Sequence, residues 1–130
     1  MKKIQSLKGF TLIEILIVVA IIGLIATLIA PNLIGRFEQS KEEIAKAQVE
    51  MLSSAVISFM IDMARYPTAL EELVNGTEPK WRGPYLSKRT VPKDPWGRDY
   101  QYKAPGDNGP FDLYSFGPGG KLDDRSIKNW

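Results

Sequence analysis

The chain of 130 residues contains neither cysteine nor histidine. Without cysteine no disulfide can form, even in an oxidising compartment. The two absences together exclude a zinc site built from cysteine and histidine ligands, and a Ser-His-Asp or Cys-His nucleophile. The sequence also lacks a glycine-rich phosphate loop of the P-loop type, so any nucleotide energy has to come from another protein. Carboxylate chemistry and an oxygen-ligated metal remain open.

Charge is nearly absent from residues 10–30, where Glu14 is the only charged side chain. Twenty apolar residues in a helix span about 30 Å, the thickness of a bilayer's hydrocarbon core. A helix buried in a soluble protein would normally keep a polar face, but only Thr11, Glu14 and Thr27 interrupt this run. We therefore predict a transmembrane helix over residues 10–30, in contact with the lipid bilayer.

The remaining charges predict the orientation of that helix. Residues 1–9 carry Lys2, Lys3 and Lys8 without an acid, whereas residues 31–130 carry 14 basic and 14 acidic side chains. By the positive-inside rule the basic leader stays in the cytoplasm, so the chain crosses the membrane once and its C-terminal part lies outside the cytoplasm; the family resemblance given below implies that this membrane is the bacterial inner membrane and that the C-terminal part lies in the periplasm. The pI near 8.8 reflects mainly the leader and gives no indication of nucleic-acid binding.

An amphipathic helix is predicted to continue through residues 31–65 into the periplasm. Pro31 removes one backbone hydrogen bond and can kink or locally unwind the helix where the two parts join. Tyr66-Pro67 is expected to end it, because a residue before proline avoids the α region. The apolar face is expected to consist of Phe37, Ile44, Leu52, Ala55, Phe59 and Met63.

Residues 66–130 are rich in proline, glycine and aromatic residues, which predicts a small β-rich globular region. One or two helical turns are expected at Ala69–Val74, and Pro105–Pro110 has the composition of a turn. The strand candidates are Arg89–Val91, Asp99–Lys103 and Phe111–Phe116. The fold class is therefore α+β, with a small antiparallel sheet that buries its apolar face on the amphipathic helix.

The junction Lys8-Gly9-Phe10-Thr11-Leu12-Ile13-Glu14 places a small residue before the apolar segment, whereas an ordinary secretory signal places small residues after it. This junction resembles the class III signal of type IV pilins and type II secretion pseudopilins. The resemblance implies that a prepilin peptidase cleaves after Gly9 and that Phe10 becomes an N-methylated mature N-terminus. The alternative is a plain signal anchor that is not cleaved.

Glu14 has a physical argument of its own, because a carboxylate in a membrane helix is costly and needs a partner. The resemblance makes Glu14 the fifth mature residue, and the free amine of Phe10, in its own or a neighbouring subunit, is the expected partner during assembly. Pro31 belongs to the same resemblance and is assigned to assembly with it. The alternative is an acid that reaches back to the membrane interface.

Four segments of the C-terminal half carry a second resemblance: Arg65–Thr68, Trp81–Leu86, Pro92–Arg98 and Phe111–Gly117. Together they resemble the major, G-type pseudopilins of type II secretion, within the type IV pilin-like superfamily. The resemblance implies the pilin-like fold and a periplasmic filament of identical subunits. The expected partners are minor pseudopilins, the prepilin peptidase, the inner-membrane assembly platform and the outer-membrane secretin.

The same resemblance implies a calcium ion in the C-terminal loop. Its ligands would be Asp123, Asp124, Ser126 and the backbone oxygens of Phe116 and Leu122, since calcium prefers six to eight oxygens. The sequence departs from the family here. Pro118-Gly119-Gly120 replaces Ala-Asp-Gly, and Arg125-Ser126 separates the acidic pair from Ile127. The alternative is a solvated turn with two exposed acids.

Two other functions are considered beside the secretion filament. A type IV pilin of a surface filament, for adhesion or DNA uptake, would share the leader and helix, but the aromatic segments and the lack of a cysteine-bounded loop favour the G-type subunit. A membrane-tethered enzyme would need a pair of carboxylates. The candidates are Asp94, Asp99, Asp112, Asp123 and Asp124, and their spacing singles out no pair. We therefore expect no enzymatic activity.

Overall fold

The computed structural model describes residues 2–3 and 6–130, so the predicted leader lies partly outside the described residues. The chain separates into two compact units, one up to Glu38 and one from Gln39 to Trp130. A single long helix, α1, runs from Leu12 to Met63 and belongs to both units.

Helix α1 is continuous through Pro31, which lies inside it without a break in the helical assignment. The predicted local unwinding at Pro31 is therefore not present. The helix ends at Met63, two residues earlier than predicted. Ala64 adopts a left-handed conformation with φ of 58° and still donates its N–H to the Met60 carbonyl at 2.8 Å. The left-handed conformation of Ala64 therefore ends the helix after Met63, before the chain reaches Tyr66-Pro67.

The side chains in the first part of α1 are exposed. The large apolar residues between Leu12 and Ile34 are 46% to 79% exposed. An 18-residue window of the helix has a mean hydropathy of 3.0, which is apolar enough, in a helix of this length, to cross a membrane. This is the stretch predicted to span the bilayer.

The second part of α1 packs on the rest of the globular unit. Its buried residues follow each other at intervals of three or four: Ala45, Val49, Leu52, Ala55, Val56, Phe59 and Met63. The prediction was correct for Leu52, Ala55, Phe59 and Met63 and wrong for Phe37 and Ile44, which are 60% and 51% exposed. Ile44 precedes the buried Ala45 by one residue, which turns it about 100° away around the helix.

A short 3₁₀ helix at Leu70–Leu73 follows, as predicted for Ala69–Val74. The sheet then consists of β1 (Gln101–Lys103), β2 (Asp112–Ser115) and β3 (Ile127–Lys128), all antiparallel, with β2 in the centre. Tyr102 pairs with Leu113 across β1 and β2, and Ser115 pairs with Ile127 across β2 and β3.

Two of the three predicted strands are confirmed, since Asp99–Lys103 contains β1 and Phe111–Phe116 contains β2. Arg89–Val91 was predicted as a strand, but Arg89 and Thr90 form bends, and within the described ranges the segment pairs with no strand. Strand β3 was missed, since two residues are too short to show an alternating pattern.

Tyrosine hydroxyls tie the irregular segments to the helix and its C-terminal extension. Tyr85 donates to Asp62 Oδ2 at 2.8 Å, and Tyr102 donates to the Pro67 carbonyl at 2.8 Å. Burial raises the pKa of Tyr102 to about 12. Trp96 is half-buried against the core. The loops are therefore held by specific hydrogen bonds as well as by apolar packing.

Candidate functional site

The predicted processing junction lies just before the helix. Gly9 and Phe10 are exposed and precede the first helical residue, Leu12. A side-chain carbon added at Gly9 would meet nothing within 4 Å. The Gly9–Phe10 peptide bond is therefore open to a peptidase. Cleavage there and methylation of Phe10 stay predictions.

Thr11 caps the start of α1. Its hydroxyl accepts a hydrogen bond from the Glu14 N–H at 3.2 Å, and its carbonyl accepts one from Ile15 at 3.3 Å. Thr11-Leu12-Ile13-Glu14 is a capping-box sequence, in which an acid at the third helical position also complements the helix dipole. The sequence analysis missed this role for Glu14, although the Thr-x-x-Glu pattern shows it. Cleavage after Gly9 would leave the cap intact.

The second candidate site is the loop from Gly117 to Ser126. It opens with a short 3₁₀ turn at Gly117–Gly119. The Ser126 hydroxyl lies 3.1 Å from the Phe116 carbonyl oxygen and 3.2 Å from that of Lys121, and it accepts the Asp123 N–H at 2.9 Å. The structure therefore brings three predicted ligand residues together: Phe116, Asp123 and Ser126.

The other predicted ligands are not gathered at that point. The Asp124 side chain is exposed and turns to solvent, while the backbone oxygen of Leu122 stays a prediction. Asp123 uses its Oδ1 to accept the Arg125 N–H at 2.8 Å, which closes a local turn. In the described part of the chain, no three His, Cys, Asp or Glu side chains come close enough to hold a metal ion.

The buried carboxylates also have structural roles. Asp112 accepts hydrogen bonds from the Asp107 and Asn108 N–H groups at 2.9 and 3.2 Å and so shapes the turn between β1 and β2. Asp94 accepts from the Trp96 and Arg98 N–H groups at 3.1 and 2.8 Å. These hydrogen bonds give both carboxylates a role in holding turns of the globular unit.

One residue that contacts the C-terminal loop from outside it was not predicted at all. Arg98 Nη1 donates to the Gly117 carbonyl at 3.0 Å, across 19 positions of sequence. A side-chain carbon added at Gly120 would lie 2.7 Å from Arg98 Nη2 and 3.0 Å from Cζ, so the guanidinium rests against the loop backbone. No local sequence pattern connects Arg98 with this loop.

The residues present do not fit a calcium ion. The ion needs several negatively charged or carbonyl oxygens free to converge on it. Here Ser126 and Arg98 are hydrogen-bonded to the loop carbonyls and Asp123 is bound to a backbone N–H, while a guanidinium brings positive charge to the same place. The calcium site stays a prediction that this geometry does not favour.

Comparison with known proteins gives a consistent family signal over both parts of the chain. Residues 32–130 match the family model of protein G of the type II secretion system, and residues 6–30 match that of the prokaryotic N-terminal methylation motif.

Among curated proteins, the chain is 43% identical to type II secretion system core protein G of Pseudomonas aeruginosa, covering 94% of each chain. It is 39% identical to the core protein G of Vibrio cholerae, covering 100% of this chain and 96% of the other. A crystal structure of the major pseudopilin from the type 2 secretion system of enterohaemorrhagic Escherichia coli matches with a TM-score of 0.61 and 31% identity, over 77% of this chain and 95% of that one.

Proposed function

Since the chain belongs to the family of type II secretion system protein G, we propose that its copies assemble through helix α1 into the pseudopilus, a helical periplasmic filament. This filament helps to drive folded proteins through the outer-membrane secretin. The observation that carries the proposal is the contrast within α1, whose first part exposes every large apolar side chain while its second part packs on a sheet.

The first part of α1 has two apolar environments in this proposal. Before assembly the helix anchors the subunit in the inner membrane, with the leader in the cytoplasm. After the prepilin peptidase has cut behind Gly9, the same side chains pack against the helices of other copies. The match of residues 6–30 to the methylation motif supports this order of events. The assembly platform and minor pseudopilins would act at the membrane step.

The second part of α1 also exposes large apolar side chains. Ile44 and Met51, seven residues apart, lie on one face, which we call the outer stripe, and Ile57 and Ile61 lie on another; the four side chains are 43% to 71% exposed. The exposed Glu43, Lys46 and Glu50 lie close by in sequence, so this stretch is unsuited to the hydrocarbon of a membrane. A second copy of the chain fits it better, because the stripe lies on the same helix as the apolar anchor.

Glu14 offers a charge partner for assembly. Processing would create a positive amine at Phe10, and both groups have to leave water when the helix enters a filament core. A carboxylate and an amine that pair there avoid the cost of two isolated charges in an apolar environment. The capping role of Glu14 is compatible with this pairing, since the hydrogen bond to Thr11 uses its backbone N–H and leaves the carboxylate free.

A surface pilin remains the alternative function. It would use the same anchor and the same helix packing. The match of residues 32–130 to protein G favours the secretion filament, because this region lies beyond the N-terminal motif.

Chemical labelling can test the packing, because the chain has no cysteine and a single introduced thiol is the only reactive one. Met51→Cys, on the outer stripe, should react with a maleimide in dissolved subunits and become protected in filaments, by about tenfold or more in rate. Asp107→Cys, on the exposed turn between β1 and β2, is the control and should react equally in both. Equal labelling of Met51→Cys in filaments and subunits would contradict packing through this stripe.

A further inference from the structure

The loop from Gly117 to Ser126 gathers backbone oxygens at its base. The carbonyl oxygens of Phe116 and Lys121 both lie within 3.2 Å of the Ser126 hydroxyl, which has one proton to donate. The adjacent Gly117 carbonyl accepts from Arg98. The carbonyls of such a group need hydrogen-bond donors or a cation as partners.

Arg98 is held in place to be that cation. The Arg98 N–H donates to Asp94 Oδ1 at 2.8 Å, and the Asp94 N–H donates to the Arg98 carbonyl at 2.8 Å, so the backbone of Arg98 is fixed from both sides. Asp94 Oδ2 accepts from the Ser115 hydroxyl at 2.6 Å, and Ser115 Oγ in turn accepts the Gly117 N–H at 3.0 Å. Asp94 therefore fixes the Gly117 N–H through Ser115, and Arg98 fixes the Gly117 carbonyl directly.

The glycines of the loop match this arrangement. Gly120 has φ of 71°, and any side chain there would collide with the Arg98 guanidinium. Gly117 has φ of 74°, and an added side-chain carbon would lie 2.5 Å from the Arg125 carbonyl oxygen. The two glycines allow the chain to close tightly around the guanidinium and to bring both ends of the loop together.

The position of the missing family carboxylate faces Asp123. A side-chain carbon added at Gly119 would lie 2.4 Å from Asp123 Oδ2, so a side chain at this position requires the Asp123 carboxylate to move. Residues 117–126 carry two acids and two bases, and Arg98 adds a third positive charge. A divalent cation would therefore enter a region without excess negative charge.

We propose that Arg98, positioned by Asp94, is the resident cation of the C-terminal loop, so that this subunit folds and keeps its loop closed without calcium. The Ser126 hydroxyl completes the arrangement by donating its one proton to a carbonyl at the base. The departure from the family sequence at residues 118–120 is then part of an exchange, in which a guanidinium replaces a metal ion and the carboxylate at position 119.

Thermal unfolding of the full-length protein in detergent micelles tests this proposal. All three tryptophans, Trp81, Trp96 and Trp130, lie outside the apolar part of α1, so their fluorescence reports on the globular unit. The wild-type Tm should be the same in calcium and in chelator, within about 1 °C. Arg98→Gln should lower the Tm by about 4–8 °C in both conditions, as expected for losing one charge-assisted hydrogen bond in a domain of this size.

Arg89→Gln is the matched control, because Arg89 is exposed and lies outside this loop. Its Tm should stay within about 1 °C of the wild type. If Arg98→Gln is too unstable for a cooperative transition, Arg98→Lys takes its place. Its Tm should decrease by a smaller amount, since lysine keeps the positive charge but lacks the planar guanidinium.

Two results would overturn the proposal. One is a wild-type Tm that calcium raises by several degrees and chelator lowers again. The other is an Arg98 variant whose Tm is the same as that of Arg89→Gln. Both measurements use unassembled subunits, so their outcome is independent of whether the chain forms a filament.

Discussion

The two parts of helix α1 have the same backbone structure and opposite surroundings. Before Glu38 the described side chains are open, and after it seven residues are buried against the globular unit. Both stretches satisfy their hydrogen bonds within the helix, so secondary structure does not distinguish them. The difference shows that a helix can have its apolar side chains covered within the subunit in one part and still require a partner in the other.

The physical reason is the distribution of apolar area. The second part has one apolar stripe for the sheet and a weaker outer stripe, with charges between them. The first part is apolar all round, so no single neighbouring element can cover it and only a membrane or several other helices can. Variants in matched pairs can test this contrast, starting with those of largest effect.

The largest effect is expected on proteolytic processing at the exposed Gly9–Phe10 junction. Gly9→Val should abolish cleavage, because a branched side chain crowds the bond that the peptidase cuts. Gly23→Val is the control, since Gly23 also has open surroundings but lies within the helix and should be processed normally.

Intact mass of protein from its own host measures this processing. Wild type should have lost residues 1–9 and gained one methyl group on Phe10. A wild-type protein that still begins with Met1 in cells with an active prepilin peptidase would show that the junction is an uncleaved anchor.

The second largest effect is on the stability of the globular unit, and it distinguishes substitutions in the two parts of α1. Leu52 is fully buried and Leu24 is 66% exposed, so the same substitution has different consequences. Leu52→Ala should lower the free energy of unfolding of the globular unit by about 2–5 kcal/mol, since it leaves a cavity. Leu24→Ala should change it by less than about 0.5 kcal/mol.

Urea titration of tryptophan fluorescence in detergent measures both values. A large loss of stability from Leu24→Ala would mean that the first part of α1 supports the globular unit, and the contrast drawn above would be wrong.

The smallest of the three effects concerns Glu14. Glu14→Ala should remain inserted and cleaved, because removing a charge makes the membrane helix more apolar. Filament yield should fall by about tenfold, if the pair with the Phe10 amine contributes about 1.4 kcal/mol. Glu14→Gln is the conservative control, since it keeps the size of the side chain and removes only the charge.

Electron microscopy and sheared-filament yield give the readout. If Glu14→Gln assembles normally while Glu14→Ala does not, the role of the residue lies in the packing of its side chain, and the charge pair is excluded. Normal yields from both would assign Glu14 to the membrane interface.

The sequence predicted best where the information is local. The apolar run and the turn at Pro105–Pro110 each depend on a few adjacent residues, and β1 and β2 follow from short alternating segments. The Thr11–Glu14 cap was equally local and was overlooked, although its pattern is visible in the sequence.

Prediction failed where the answer depended on distant neighbours. Ile44 and Ala45 are adjacent, and only the position of the sheet decides that Ala45 is buried and Ile44 exposed. Strand β3 exists because Ile127 lies beside Ser115, not because two residues favour a strand. The contact of Arg98 with Gly117 joins segments 19 positions apart, and no spacing rule reveals it.

The sequence by itself determined that this chain has a membrane-capable helix, a junction suited to processing before it and a small α+β unit after it, because hydrophobicity, charge and helix periodicity are properties of neighbouring residues. The tertiary structure decided which stripe of α1 is covered, how the sheet is completed and which side chain supplies the positive charge of the C-terminal loop. These depend on burial and on hydrogen bonds between distant segments, whose energies exist only once the chain has folded.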